Sequence, residues 1–273
     1  MYKSYNINQF RDSLLQLAVL LCIFILTACG GGESTISESP NALSKDTSEI
    51  SSSITNITYR LDVFLPHSYT SDGDALPVIY SGDGQWSSDI YSKALQKKEV
   101  QAILVSIHEG PSGRRNIDYL TPGVYNYFEF LTQELIPFIE SKYNASSDNR
   151  TIVGHSFGGA MSVYSMIIDD TENQYFSNYV AADPIIPDFD KFVIDEDDRY
   201  QLSTTMNANF IVTVATIGKS ASGIRVYNDF IEHLLNRNYQ GLTIQYSDLR
   251  VDHGAANLDT FELALTKLFP VEN

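Results

Sequence analysis

Cysteine is almost absent from this chain. The sequence has two cysteines, Cys22 and Cys29, and both lie within the first 29 of its 273 residues. Residues 30–273 therefore contain neither a disulfide bond nor a thiol nucleophile. Any covalent catalysis by this part of the chain has to use another side chain.

Basic residues are also scarce. The chain has 18 Lys and Arg against 34 Asp and Glu, which gives a formal net charge of −16. A surface this acidic argues against nucleic acid as a partner and against adhesion to anionic lipids. The hydrophobic fraction of 43% is still high enough to bury one large core.

The N-terminus has the pattern of a secretory signal peptide. Lys3 and Arg11 precede an almost wholly apolar run, 14–26, which is too short to span a bilayer comfortably. The run ends in LTAC at Cys29, and this ending resembles the bacterial lipobox. The resemblance implies that residues 1–28 are removed and that Cys29 is acylated, which would anchor the protein in the bacterial cell envelope, at the periplasmic or surface face of the outer membrane. An ordinary signal peptide with a chance cysteine is the alternative.

Residues 29–53 are rich in Ser, Gly, Glu and Thr and are predicted to form a flexible tether. The remainder, 54–273, is predicted to be a single domain. Strand-like and helix-like stretches alternate through it, which predicts an α/β fold with a mostly parallel, twisted sheet and helices on both faces. The first strand, 54–65, ends at Pro66 and is expected to be antiparallel at a sheet edge.

A G-x-S-x-G pattern stands at the centre of residues 151–160, TIVGHSFGGA. A β-branched run precedes Ser156 and an apolar helical stretch, 160–168, follows it, which is the context of a nucleophile elbow. Gly154 and Gly158 would allow the strand and the helix to cross closely. We therefore predict that Ser156 is a nucleophile, and the alternative is a glycine-rich turn in an ordinary α/β protein.

A serine hydroxyl needs a base, and that base is usually histidine. His155 is adjacent to Ser156 along the chain, so the two side chains should diverge. Three other histidines precede the elbow or lie within a helical stretch: His67, His108 and His233. His253 follows the last predicted strand, where the order of nucleophile, acid and histidine places the base. We predict His253 as the base, with a purely structural histidine as the alternative.

The acid of the triad is less clearly marked. The loop after the predicted strand 210–215 reads TIGKSASG and contains no carboxylate. Asp183, at the end of the preceding strand, is the substitute that we predict. Asp183 could instead cap local amides, or the site could be a Ser–His dyad.

Two arginines, Arg114 and Arg115, lie in a long loop, 108–122, together with Asp118. In so acidic a chain they could contact an anionic part of a substrate. A solvated loop with a local Arg–Asp pair is the alternative.

Four segments resemble the esterase D-like branch of the α/β-hydrolases, which includes enterochelin-type siderophore esterases: LPVIYSGDGQW, RRNIDYLTP, ELIPFIESKY before RTIVGHSFGG, and DHG before a last helix. The resemblance implies an α/β-hydrolase fold. It places the oxyanion amides on Gln85 and Phe157 and a substrate-facing arginine at Arg114 or Arg115. It implies neither a metal nor a cofactor.

The chain departs from that branch at two positions. Asp183-Pro184 stands where the branch usually has Ser-Pro, and Gly218-Lys219-Ser220 stands where it has an acid. The expectation is a lipid-anchored serine carboxylic-ester hydrolase that forms an acyl-enzyme, acting on siderophore-type or other acyl esters. The alternative is a lipoprotein that keeps the fold but only binds a ligand or a partner. The sequence leaves the oligomeric state open.

Overall fold

The computed structural model describes residues 42–186 and 189–270. The predicted signal peptide, Cys29 and the first part of the predicted tether lie outside these residues. Within the two described ranges, no helix combines the length and the apolar character needed to cross a membrane.

Eight strands form one sheet with the order β1-β2-β4-β3-β5-β6-β7-β8. The strands are β1 (Ser44–Ser51), β2 (Thr58–Leu65), β3 (Leu76–Ser81), β4 (Ile103–Ile107), β5 (Ala145–His155), β6 (Asn178–Ala182), β7 (Thr205–Ala215) and β8 (Gln240–Leu249). β1 pairs antiparallel with β2, and β2 pairs antiparallel with β4. The pairs from β4 through β3 to β8 are all parallel. The carboxyl ends of six strands therefore meet at one edge, where ligands of open α/β sheets bind.

The predicted tether is shorter than expected, because residues 44–51 form the edge strand β1. This part of the domain prediction is wrong. The residues of β1 are exposed or half-buried. Backbone pairing with β2, from Ser44↔Leu65 to Ser51↔Thr58, holds the strand in place. A polar edge strand stabilised by backbone hydrogen bonds has little hydrophobic pattern, so composition alone identified it as a tether.

Helices cover both faces of the sheet, as predicted. They are α1 (Gly84–Lys97), α2 (Arg115–Asp118), α3 (Gly123–Glu129), a π-helix (Phe130–Leu135), α4 (Ile136–Lys142), α5 (Phe157–Ile168), α6 (Phe189–Leu202), α7 (Ala221–Arg237) and α8 (Ala255–Leu268). The side chains of β2 to β7 alternate between two hydrophobic clusters. In β3, for example, Tyr80 belongs to the cluster that contains residues of α3 to α7, and Ile79 belongs to the cluster that contains residues of α1 and α8.

The acidic segment after Asp183 forms most of α6. Phe192 is buried and packs against Phe230 of α7, with 4.8 Å between ring centroids. The buried Glu196 and Arg199, on the same helix, are both partnered: Arg237 donates to Glu196, and Arg199 donates to the carbonyl of Thr205. The many charged residues of this segment therefore hide the pattern of an amphipathic helix in the sequence.

Candidate active site

Ser156 lies on the sharp turn between β5 and α5. Its backbone angles, φ 59° and ψ −117°, are strained for a residue with a side chain. Two hydrogen bonds fix this backbone: Ser156 N–H donates to the carbonyl of Ala182 at 3.0 Å, and Ile185 N–H donates to the carbonyl of Ser156 at 3.1 Å. The structure thus holds the serine as a nucleophile elbow does, at the carboxyl edge of the sheet.

Gly154 and Gly158 are where the strand and the helix approach most closely. A Cβ added to Gly154 would lie 2.1 Å from the carbonyl oxygen of Gly158, a backbone atom that cannot move aside. A Cβ on Gly158 would lie 3.3 Å from Oδ2 of Asp83. Gly154 is thus a steric requirement of this crossing, whereas Gly158 leaves room for the side chain of Asp83.

His253 lies between β8 and α8 and contacts the predicted acid. Its Nδ1 is 2.5 Å from Oδ2 of Asp183. With Nδ1 donating to the carboxylate, Nε2 is left with the lone pair that a general base needs. The imidazole is half exposed, while Asp183 is fully buried.

Ser156 and His253 line the same cavity, whose volume is about 180 Å³. Among the described residues, the hydroxyl of Ser156 forms no hydrogen bond with the imidazole. Catalytic hydrogen bonds of this type often tighten only when substrate is bound.

Asp183 combines two roles that the sequence left as alternatives. Its Oδ1 accepts the backbone N–H of Ala215 at 3.1 Å, so it does cap a local amide. Its Oδ2 accepts from His253, and Lys219 donates to both oxygens, at 2.6 Å for Oδ2. The backbone at Asp183 has φ 40°, and its N–H donates to the carbonyl of Thr213 at 3.0 Å. This anchored turn directs the carboxylate at the histidine.

Lys219 was not predicted as a site residue. The sequence showed only that it stands where the resembling branch has an acid. That departure was the one signal in the sequence that marked this position.

His155 contacts the predicted base, although the sequence gave it no role. Its ring lies 4.4 Å from the ring of His253, centroid to centroid, and its Nε2 donates to the carbonyl oxygen of His253 at 2.7 Å. Burial lowers the pKa of His155, and the hydrogen bond to the carbonyl of His253 offsets part of that lowering. A neutral His155 therefore supports the position of His253 without adding a charge.

Arg115 lines the cavity but is not free. Its Nε donates to Oδ1 of Asp83 at 2.7 Å, and a terminal nitrogen donates to Oδ2 at 2.6 Å, the bidentate geometry of a strong ion pair. Its guanidinium also lies 5.0 Å from the ring of Phe157 and 5.2 Å from the ring of Trp86. Burial raises the pKa of Asp83, and the hydrogen bonds from Arg115 offset part of that rise.

Arg114 is placed differently from its neighbour. Its Nε donates to Oδ1 of Asp118 at 2.7 Å, and the hydroxyl of Tyr59 donates to the other oxygen at 2.8 Å. Arg114 is not among the described residues that line the cavity. The local Arg–Asp pair is thus the interpretation that fits Arg114.

The two predicted oxyanion amides both lie in the first turn of a helix. Gln85 is the second residue of α1, and Phe157 is the first residue of α5. Amides in the first turn have no intrahelical acceptor, and the helix dipole favours negative charge there. The side chain of Gln85 accepts the N–H of Glu109 at 3.0 Å, which fixes the start of α1 against the loop after β4.

A larger cavity, about 490 Å³, lies where the amino ends of the parallel strands meet, and it contains none of the predicted site residues. A possible ligand set for a metal, Glu196, Asp197 and His233, lies on α6 and α7. Arg237 forms ion pairs with both carboxylates of this set, so an arginine already contacts the oxygens that a metal would need. These features are separate from the chemistry at Ser156.

Residues 52–186 match the esterase family described as "Putative esterase". The ferri-bacillibactin esterase BesA of Bacillus subtilis is 26% identical over 133 residues, which cover 48% of this chain and 44% of BesA. The chain thus spans less than half the length of this curated relative.

Solved structures share the fold over most of the chain. An IroE-like serine hydrolase from Shewanella oneidensis has a TM-score of 0.68 at 21% identity, covering 84% of this chain and 82% of that one. The siderophore hydrolase EstA from Aspergillus nidulans has a TM-score of 0.65 at 17% identity, covering 82% and 93%. The family match, the mostly parallel sheet and the elbow at Ser156 together support an esterase with the α/β-hydrolase fold, similar to the enterochelin esterase-like branch.

Proposed function

We propose that the protein is a serine carboxylic-ester hydrolase that works through an acyl-enzyme. The observation that carries the proposal is one cavity lined by a serine on a strained elbow and by a histidine bonded to a buried carboxylate. This combination supplies a nucleophile, a base and the group that orients the base.

The reaction would proceed in two steps, in which the acyl group passes first to Ser156 and then to water. Oγ of Ser156 attacks the ester carbonyl while its proton passes to Nε2 of His253. The tetrahedral intermediate then releases the alcohol, which takes that proton, and leaves an acyl-serine. Water attacks the acyl group in the same way and gives the carboxylic acid and free Ser156. The buried Asp183 balances the imidazolium that forms in both halves.

The amides of Gln85 and Phe157 are proposed to stabilise the oxyanion of each tetrahedral intermediate. Gln85 and Phe157 are the second and the first residue of helices that follow parallel strands, where backbone N–H groups have no intrahelical acceptor. The Asp83–Arg115 ion pair supports this arrangement, because Asp83 is the residue that precedes α1.

Siderophore-type esters are the proposed substrate class. One relative is named a ferri-bacillibactin esterase and one structural neighbour a siderophore hydrolase. In this chain, Arg115 beside the rings of Trp86 and Phe157 would contact an acidic or catecholate group. Asp83 neutralises most of its charge, so the contact would depend on hydrogen-bond direction and stacking more than on net charge.

We further propose that the enzyme is a lipoprotein of the bacterial cell envelope, attached through an acylated Cys29. Support comes from the apolar run and the LTAC ending in the sequence. Acyl chains anchor through burial of their methylenes, at about 0.8 kcal/mol each, so the acidic surface of the domain would not prevent attachment.

Hydrolysis of a short p-nitrophenyl ester tests the proposed activity. The wild-type protein should turn the ester over, and Ser156→Ala and His253→Ala should each abolish turnover while circular dichroism stays native. The double variant should be little worse than either single one, because these residues act as a unit. Substantial turnover by folded Ser156→Ala would reject the serine mechanism, and an inactive wild type would favour the alternative of a binding protein.

A further inference from the structure

Lys219 donates to both oxygens of the predicted triad acid. Its ammonium lies 2.6 Å from Oδ2 of Asp183 and also contacts Oδ1. Asp183 is fully buried, and the Lys219 side chain is 21% exposed, so solvent screens this ion pair only weakly. Lys219 lies in the loop between β7 and α7, whereas Asp183 follows β6.

The oxygen that Lys219 contacts at 2.6 Å is also the oxygen that receives His253 Nδ1 at 2.5 Å. A carboxylate offers about four acceptor positions, so both donors and the N–H of Ala215 can be accommodated at once. The acid is thus shared between a permanent cation and an imidazole that becomes a cation only during the reaction.

We propose that Lys219 is a positioning residue that fixes Asp183 toward His253 and, by balancing the carboxylate charge, keeps His253 unprotonated at lower pH than Asp183 alone would allow. The proposal rests on the proposed esterase function, in which unprotonated His253 is the base. It concerns a residue that stands where the resembling branch has an acid.

The charges of Lys219, Asp183 and His253 explain why the ammonium would disfavour a protonated imidazole. Lys219 and Asp183 together have a net charge of zero, so protonation of His253 creates a net positive charge beside a buried pair. Without the ammonium, the same protonation would neutralise a buried carboxylate. An opposite charge in contact favours the charged imidazole and a like charge disfavours it, so loss of Lys219 should promote protonation of His253.

Other titratable or charged groups surround this trio. The ring of His155 of β5 lies tilted against the ring of His253, and burial lowers the pKa of His155. Tyr227 of α7 lies under the Lys219 ammonium at 5.2 Å, and burial raises its pKa, so it stays neutral. Across the cavity, Arg115 and Asp83 neutralise each other. Asp252, next to His253 on the chain, accepts the N–H of Ala255 at the start of α8.

The test compares three replacements of Lys219. Lys219→Met removes the charge and the donor, Lys219→Gln removes the charge but keeps a donor, and Lys219→Arg keeps both. The pH profile of kcat/KM for a p-nitrophenyl ester is measured for each variant whose circular dichroism is native. The pH at which the His253 ring signals change in NMR is measured in a Ser156→Ala background.

Lys219→Met and Lys219→Gln should move the acidic limb of kcat/KM, and the NMR transition with it, to higher pH by on the order of one unit. Lys219→Arg should leave both near the wild-type position. An equal loss of activity at all pH values, with the NMR transition unmoved, would show a purely structural role and overturn the proposal. An inactive wild type would reject the esterase function alone, because the NMR transition reports on Lys219 without turnover.

Discussion

Asp183 shows how one residue can depart from the sequence pattern of its branch and still reach the expected partner. The sequence had to choose this carboxylate without a motif, because the loop after β7 contains no acid. The structure places its Oδ2 2.5 Å from His253. The anchored turn at the end of β6, with φ 40°, directs the side chain there.

Asp183→Asn should leave KM nearly unchanged and lower kcat for a p-nitrophenyl ester by up to about 10⁴-fold. An amide can hold the wrong imidazole tautomer and cannot balance the imidazolium. Asp248→Asn is the matched control, since Asp248 is exposed and accepts only from the hydroxyl of Tyr246 among the hydrogen bonds of the described residues. A loss of only a few-fold in Asp183→Asn would indicate a Ser–His dyad.

Arg115 and Arg114 are adjacent residues with different surroundings. Arg115→Gln should raise KM for esters with an acidic or catecholate group more than for neutral short-chain esters, because only Arg115 lines the cavity. Arg114→Gln serves as the control and should change neither KM. Steady-state kinetics with paired substrates measures both. An equal fall of kcat for the two substrate classes in Arg115→Gln would mean that this arginine only holds Asp83.

The elements around the elbow were predictable because their patterns are local. The β-branched run, the glycines and the small residues after Ser156 follow one another within ten positions, and β5 and α5 are where they indicated. Other contacts between distant segments were not predictable. Lys219, His155 and Asp83 acquire their partners only when β3, β5, β6 and β7 align at one edge of the sheet.

Gly154→Ala should destabilise the fold by about 3 kcal/mol, because its methyl group would collide with the backbone of α5. Urea unfolding followed by circular dichroism measures the change. Gly223→Ala is the control, for which the opposite change in stability is expected. Gly223 lies in α7, and a Cβ added there would meet only Ser220 Oγ, at 3.4 Å. Alanine should therefore stabilise the helix by up to about 1 kcal/mol. Equal stability of Gly154→Ala and the wild type would contradict the steric account of the elbow.

At the scale of the whole molecule, the mostly parallel sheet with helices on both faces was predictable from the alternation of strand and helix patterns. The start of the domain was not. β1 is held by backbone pairing with β2, and its sequence, SKDTSEIS, has the composition of a tether. The same polar composition that hid this strand fits an edge exposed to water.

Cys29→Ser should abolish incorporation of labelled palmitate and release the protein from the membrane fraction. The acidic domain has no charge-based attraction to anionic lipid, so lipid attachment would be needed for membrane association. Labelling in whole bacteria, followed by fractionation, measures both effects. A wild-type protein that is unlabelled and recovered in the soluble fraction would remove the anchoring proposal.

The central claim is that Ser156 is a nucleophile activated by His253, and covalent labelling tests it most directly. After treatment with a fluorophosphonate, peptide mass spectrometry should find the adduct on Ser156 in the wild-type protein. Labelling should be about 10²-fold slower in His253→Ala, because the base that takes the hydroxyl proton is gone. An intact, folded wild-type protein that remains unlabelled, or an adduct that persists in Ser156→Ala, would contradict the account.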